Sequence, residues 1–490
     1  MAKNTIVLFT SQAITWLSSF VLMMFMPRYL GSEEYGRLYL AISLTLMAHM
    51  VIDFGGTYFI PKEISRAKDR AGELLANSVG IRFCVWACVF VLLLLFSELV
   101  GYPSTLQMLL LILGIGTLWE STSKNLKSGF QGFESMEYPA LGAIVERLFI
   151  TIGGVGALLL GCRSTTIALI MISGTLLNAL MCVFFTRRIV TSWPRFQWRG
   201  GIEILKAGFP YFLWSIFAVI YYRIDAVMLS LMVPPPVVGW YGAAYRFFDV
   251  LMFLPSIFSI VIFPVLSRLW KEETQMLQHT LEKSLQFVLT SGVAIGIVAC
   301  FFSHEIIDLL FGSAEYGPSA SLLQIFSIGL VLVYVDMMLG TTIVASDKQK
   351  QWSMVALAAI PVNVGLNYVM IPFTQQTLGN GGIGAAISTV ITEFAVMVGA
   401  LHLLPPKTVL LKRSTLGKVV LSGGIMIVSI VVLNVGRLPW VLHALLALAV
   451  YTGSLISLGA VSRSELRFLQ EFFSPSNLKT ILFRQRRSEA

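Results

Sequence analysis

Residues Phe209–Arg268 read FPYFLWSIFAVIYYRIDAVMLSLMVPPPVVGWYGAAYRFFDVLMFLPSIFSIVIFPVLSR. Two apolar runs, each long enough to cross a bilayer, meet at Pro234-Pro235-Pro236. Each run carries an arginine and an aspartate well inside it: Arg223 and Asp225 in the first, Arg246 and Asp249 in the second. A charge at membrane depth costs at least about 2.5–3.5 kcal/mol on insertion scales, so it faces a partner or a wet cavity. Four such residues in one hairpin predict a polar chamber between helices, as a solute pathway requires.

The rest of the chain has the same character. Of its 490 residues, 56% are hydrophobic and 12% charged, with a mean hydropathy of +0.79. A soluble chain carries about 25% charged residues, so this composition describes a polytopic membrane protein. The first run, near Ile6–Met26, is too long for a signal-peptide core of roughly 7–15 residues and lacks a small-residue cleavage site, so it is read as a helix that stays. Working outward from the hairpin, runs at about 38–60, 79–96, 106–123, 140–160 and 166–185 precede it. Those at about 285–302, 322–345, 354–373, 383–404, 418–435 and 440–461 follow it. At about 20 residues per span, the fold is all-α with about fourteen transmembrane helices.

Positive charge sets the orientation. With a cytoplasmic N-terminus, 28 of the 35 Lys and Arg fall in cytoplasmic positions. Arg28, Arg37, Arg163 and Arg437 fall outside, and Arg147, Arg223 and Arg246 within spans. This bias places both termini in the cytoplasm and accounts for the formal charge of +9 without a nucleic-acid partner. An internal repeat divides the chain. Gly36 and Pro61 bracket the second span as Gly239 and Pro264 bracket the eighth, 25 residues apart in both, and Ser-Arg follows each proline. The offset covers an even number of helices, so the repeats are parallel, with a site expected at their interface. The expected organisation is a six-helix bundle over 1–186, a cytoplasmic linker over 187–206, and a second six-helix bundle over 207–404. Two further helices over 405–461 and a basic cytoplasmic tail over 462–490 complete it.

Several stretches resemble one family. YYRIDAVMLS (221–230), VVGWYGAAYR (237–246), PVLSR (264–268) and GGIGAAISTVITE (381–393) are similar to polysaccharide-transport flippases of the Wzx type. So are MPRYLGSEEYG (26–36), FQGFESMEYPALGAIVE (130–146) and VNVGLNYVMIP (362–372). These flippases share a superfamily with multidrug and toxin extrusion transporters and lipid II flippases. The resemblance implies two six-helix bundles around a V-shaped cavity, and two extra helices that guide a lipid tail. It also implies transport of isoprenoid-pyrophosphate-linked oligosaccharide across the bacterial cytoplasmic membrane, for cell-surface polysaccharide such as O-antigen. Glycosyltransferases and a polysaccharide polymerase would be its partners.

The residues fit that substrate chemically. Arginine binds phosphate through a planar fork charged at any relevant pH. Arg28, Arg147, Arg223 and Arg246 are therefore the candidate headgroup contacts, each with a plainer reading as an ion-pair partner. Arg246 and Asp249, at i and i+3, can pair on their own helix. Arg223 and Asp225 point to nearly opposite sides of theirs. Six residues are candidates for ion coupling: His49, Asp53, Asp225, Asp249, Asp336 and Glu393. His49 and Asp53 share a helix face and read equally as interhelical hydrogen-bond partners, while Asn363 and Asn367, on one face of their helix, read as holding two helices together. Cys84 and Cys88 lack the further ligands of a zinc site, and no metal or cofactor is expected. Two other classes compete: a cation-coupled multidrug antiporter of the same fold, and a membrane-embedded glycan polymerase or ligase. The buried arginines speak against the first. The short outer links, the longest roughly Ser303–Ser319, speak against the second, as does the lack of a nucleophile pair or nucleotide loop.

Overall fold

In the computed structural model the chain is helical, with no strand among the described residues, which are 2–190, 193–272, 274–404, 411–433 and 439–461. Lys407, Arg437 and the basic tail over 462–490 lie outside them. The helices are α1 (Ala2–Asp53), α2 (Gly56–Arg66), α3 (Ala71–Leu99), α4 (Ser104–Gly132), α5 (Glu137–Leu159), α6 (Ser164–Ile189), α7 (Trp198–Met232) and α8 (Pro235–Leu251). They continue as α9 (Phe253–Glu272), α10 (Thr274–Phe301), α11 (Ser303–Phe311), α12 (Ser313–Ala345), α13 (Gln349–Leu378), α14 (Gly381–Leu403), α15 (Arg413–Leu433) and α16 (Trp440–Ser457). Helix is what an apolar solvent demands, because it satisfies every backbone group within its own segment.

Thirteen helical runs among the described residues are long and apolar enough to cross a membrane. The first, Thr10–Arg66, is 57 residues long and turns at Gly31, whose φ of 79° suits a residue without Cβ. It therefore counts as two crossings and brings the total to the fourteen that the sequence predicts. The protein is an all-α, multi-pass membrane protein.

Two crossings are broken. Phe54 (φ 46°) and Gly55 (φ 75°) separate α1 from α2, and α8 gives way to α9 at Met252. In the second case the Tyr334 hydroxyl of α12 donates to the Leu251 carbonyl at 2.5 Å and supplies a partner that the interrupted ladder lacks. The outer link expected over Ser303–Ser319 is helical instead. The short α11 occupies its first half, and α12 begins at Ser313 rather than near Leu322. Ser, Glu, Gly and Pro lower the apolar signal there, yet Tyr316 and Ser319 are buried. Its inward face decides for helix where mean hydropathy does not.

Among the described residues the contacts group into two compact units, one within 1–242 and 367–382, the other within 243–366 and from 383 onward. In the first unit α1 packs on α4, α5 and α7, and α4 on α6. Ile60, Ile64, Ala71, Leu75 and Val190 close one end of it. The repeat-related glycines meet inside this unit. A Cβ on Gly36 would run into the Pro235 carbonyl and the Gly239 amide, and one on Gly239 into the Ser32 carbonyl. In the second unit α12 packs on α9 and α10. The pair α15 and α16 lies against α10, with the Tyr451 hydroxyl donating to the Thr290 carbonyl at 3.1 Å and the Gln286 amide to the Ala460 carbonyl.

Candidate functional site

The helix break at Phe54-Gly55 organises the polar interior of the first unit. Asp53, 4% exposed, ends α1 and pairs with Arg82 of α3 at 2.8 Å. The same guanidinium donates to the Asp53 carbonyl at 3.3 Å and to the Ser121 carbonyl of α4 at 3.1 Å. From the α2 side of the break, the Thr57 hydroxyl donates to the Asp53 carboxylate at 2.7 Å. One arginine thus satisfies a buried carboxylate, a carbonyl freed by the broken helix and a carbonyl of a third helix. Arg82, one of the 28 Lys and Arg that the sequence places on the cytoplasmic side, is not a loop cation: it is buried inside α3, 4% exposed. A lone arginine three residues into an apolar run looks like a flanking charge, and only the packing shows it turned inward.

His49 lies one turn before Asp53 and is 1% exposed. Its Nε2 is 3.3 Å from the Lys124 ammonium and 4.0 Å from the Glu120 carboxylate, both on α4. Glu120 and Lys124, at i and i+4, could pair along their own helix. The structure turns both onto the histidine of another. Further along this interior the Asn178 amide of α6 donates to Glu146 of α5, and Arg147 beside it is half-buried. Arg28 on α1 is exposed.

Arg223 and Asp225 of the opening hairpin make contacts that go separate ways. Arg223 of α7 is half-buried, and its guanidinium donates to the Tyr39 hydroxyl at 3.4 Å. Asp225, 3% exposed, accepts from the Tyr241 hydroxyl at 2.9 Å and from the Asn367 amide of α13 at 2.6 Å. The opposite directions predicted for these two side chains agree with these partners, and Asn367 does join two helices. Tyr39 and Tyr241 are the partners that sequence reading missed. Aromatic residues are so common in membrane spans that nothing in the sequence sets these two apart.

In the second unit, Arg246 and Asp249 are half-buried on α8. Asp336 of α12 and Glu393 of α14, 4% and 5% exposed, lie within electrostatic reach of one another. Among the described residues, no group of three or more His, Cys, Asp or Glu could hold a metal ion.

The family described as Polysaccharide biosynthesis protein matches residues 1–270, and the MatE family matches residues 210–369. The chain is 26% identical over 296 residues to the Probable flippase AglR of Haloferax volcanii, covering 57% of this chain and 56% of that protein. It is 29% identical over 144 residues to the Capsular polysaccharide biosynthesis protein CapF of Staphylococcus aureus, covering 29% of this chain and 34% of that protein. The matches therefore span about half and about a third of these curated relatives. Among solved structures, the lipid II flippase MurJ in an inward closed conformation superposes with a TM-score of 0.75 at 18% identity, covering 93% of this chain and 98% of that one. An inward-facing multidrug resistance MATE family transporter of the MOP superfamily superposes with a TM-score of 0.67 at 14% identity, over 79% and 93%. The fold is the one these transporters share, and with more than half of its length matched by a single family, the chain belongs to the polysaccharide biosynthesis protein family.

Proposed function

We propose that this protein is a flippase that moves isoprenoid-pyrophosphate-linked oligosaccharide across the cytoplasmic membrane by alternating access, for cell-surface polysaccharide synthesis. The observation that carries the reading is Arg223, a half-buried cation deep in a membrane helix, with its guanidinium on the Tyr39 hydroxyl. Family membership and the relatives named as a capsular polysaccharide biosynthesis protein and a probable flippase point the same way. A pyrophosphate needs fixed cations, and Arg28, Arg147, Arg223 and Arg246 are the contacts assigned to it. In this reading residues 1–186 and 207–404 are repeat-related bundles joined by 187–206. The pair α15–α16 accommodates the lipid tail, and both termini are cytoplasmic. The protein does no covalent chemistry, receives its substrate from glycosyltransferases and delivers it to a polymerase.

Ion coupling is assigned to His49, Asp53, Asp225, Asp249, Asp336 and Glu393. For Asp53 a proton would break the Arg82 pair, so coupling there and the helix clamp are one event. A cation-coupled multidrug antiporter is the second reading, favoured by the MatE match over 210–369 and by the carboxylates Asp336 and Glu393, within electrostatic reach of one another. Proteoliposomes separate the two. Uptake of a fluorescent isoprenoid-pyrophosphate-linked sugar, with no movement of organic cations, is the expected result. Cation efflux without glycolipid movement would establish the antiporter instead.

A further inference from the structure

One ring nitrogen of His49 faces two chemically opposite groups. Lys124 and Glu120 are one turn apart on α4, the first 3.3 Å and the second 4.0 Å from Nε2. An ammonium only donates and a carboxylate only accepts, so a single nitrogen cannot serve both. Without a proton, Nε2 accepts from Lys124. With one, it donates to Glu120 and repels Lys124. The closer approach of Lys124 corresponds to the neutral ring with its hydrogen on Nδ1. Nδ1 is buried with no hydrogen-bond partner among the described residues, so no second contact holds the ring in that tautomer.

The surroundings place charges of both signs on the ring. The charged groups acting on the ring are Glu120 and Lys124 from α4, Arg82 from α3, and Asp53 from its own helix. Asp53 and Arg82 are committed to each other at 2.8 Å. Glu120 is 42% exposed and Lys124 half-buried, so the lysine tip can exchange its ring partner for a mobile anion. We propose that His49 is a proton-operated positioning residue: unprotonated it holds the Lys124 ammonium, and protonated it takes Glu120 and releases Lys124 to bind the anionic headgroup of the substrate. The identity of the anion rests on the flippase reading, whereas the switch rests on the geometry alone. Linkage makes the effect reciprocal: if a proton on His49 favours the anion at Lys124, the anion favours the proton to the same degree.

The test uses the full chain in proteoliposomes with a fluorescent farnesyl-pyrophosphate-linked sugar, between about pH 5 and about pH 8, where histidine titrates. The KM of the unmodified protein should fall as pH falls. Lys124→Gln should raise KM at the acidic end about tenfold, the loss of one charge-assisted hydrogen bond, and abolish its pH dependence. Lys124→Arg should restore both in part. His49→Gln, whose amide can face either group but cannot titrate, should slow transport and flatten the pH profile. A pH-dependent KM that survives in Lys124→Gln or His49→Gln overturns the proposal. A second measurement is independent of transport: in nanodiscs, the ¹⁵N-labelled His49 ring should bear its hydrogen on Nδ1 at neutral pH. Inorganic pyrophosphate should move its titration to higher pH, and should not do so in Lys124→Gln. That response without glycolipid movement refutes the flippase reading and leaves the switch standing. Glycolipid movement without that response refutes the switch.

Discussion

Removing Arg82 tests how the broken second crossing is held. In Arg82→Met the Asp53 carboxylate stays buried with Thr57 as its hydrogen-bond partner, the Asp53 carbonyl loses its guanidinium donor, and the Ser121 carbonyl keeps only its helical one. Breaking a buried pair from one side costs about 3–5 kcal/mol, because the surviving charge is neither solvated nor matched. That is a large share of a net stability of about 5–15 kcal/mol, so the variant should accumulate poorly and melt well below the parent. Adding Asp53→Asn removes the stranded charge but leaves the Asp53 carbonyl at the helix end, worth about 1–3 kcal/mol if left without a partner. The double variant should therefore recover roughly half of the lost stability, a coupling that a double-mutant cycle reads directly. Membrane yield and the melting temperature by fluorescence-detected size exclusion are the assays. A double variant no more stable than Arg82→Met, or an Arg82→Met protein as stable as the parent, would refute the clamp.

Arg223→Ala should abolish glycolipid transport while the protein still inserts, and Arg223→Lys should keep part of it, because lysine retains the charge without the fork. Normal transport by Arg223→Ala would remove the cationic site from the mechanism, and a failure to insert would make Arg223 a structural residue. Gly239→Ala places a methyl group against the Ser32 carbonyl; an overpacked contact of this kind costs about 1–3 kcal/mol, so the melting temperature should fall by several degrees. An unshifted melting curve would contradict the close packing of α1 on α8. Reporter fusions at Arg199 and Lys412 should be cytoplasmic and those at Tyr102, Gly312 and Asn380 external; one reversed fusion would mean a crossing has been miscounted.

The sequence by itself determined the class and the count. Long apolar runs separated by polar links admit one structural solution in lipid, so fourteen crossings are legible from length and hydropathy alone. The repeat of Gly36 and Pro61 in Gly239 and Pro264 also lies open in the sequence, as do the carboxylates and arginines whose position in a span makes them costly. Even the divergence of Arg223 from Asp225 follows from two residues' separation on a helix.

What only the tertiary structure decided is which charges meet. Arg82 sits near the start of its run, where a flanking cation and a buried clamp have the same sequence, and its partner is 29 residues away on another helix. Glu120 and Lys124 look like a pair along one helix, until His49 from α1 comes between them in chemistry if not in chain order. Tyr39 and Tyr241, two aromatics among many, gain their roles only from the arginine and aspartate they touch. Periodicity fixes the face on which a side chain lies. The partner on that face depends on how helices distant in sequence are rotated and shifted against one another, and no local pattern encodes that.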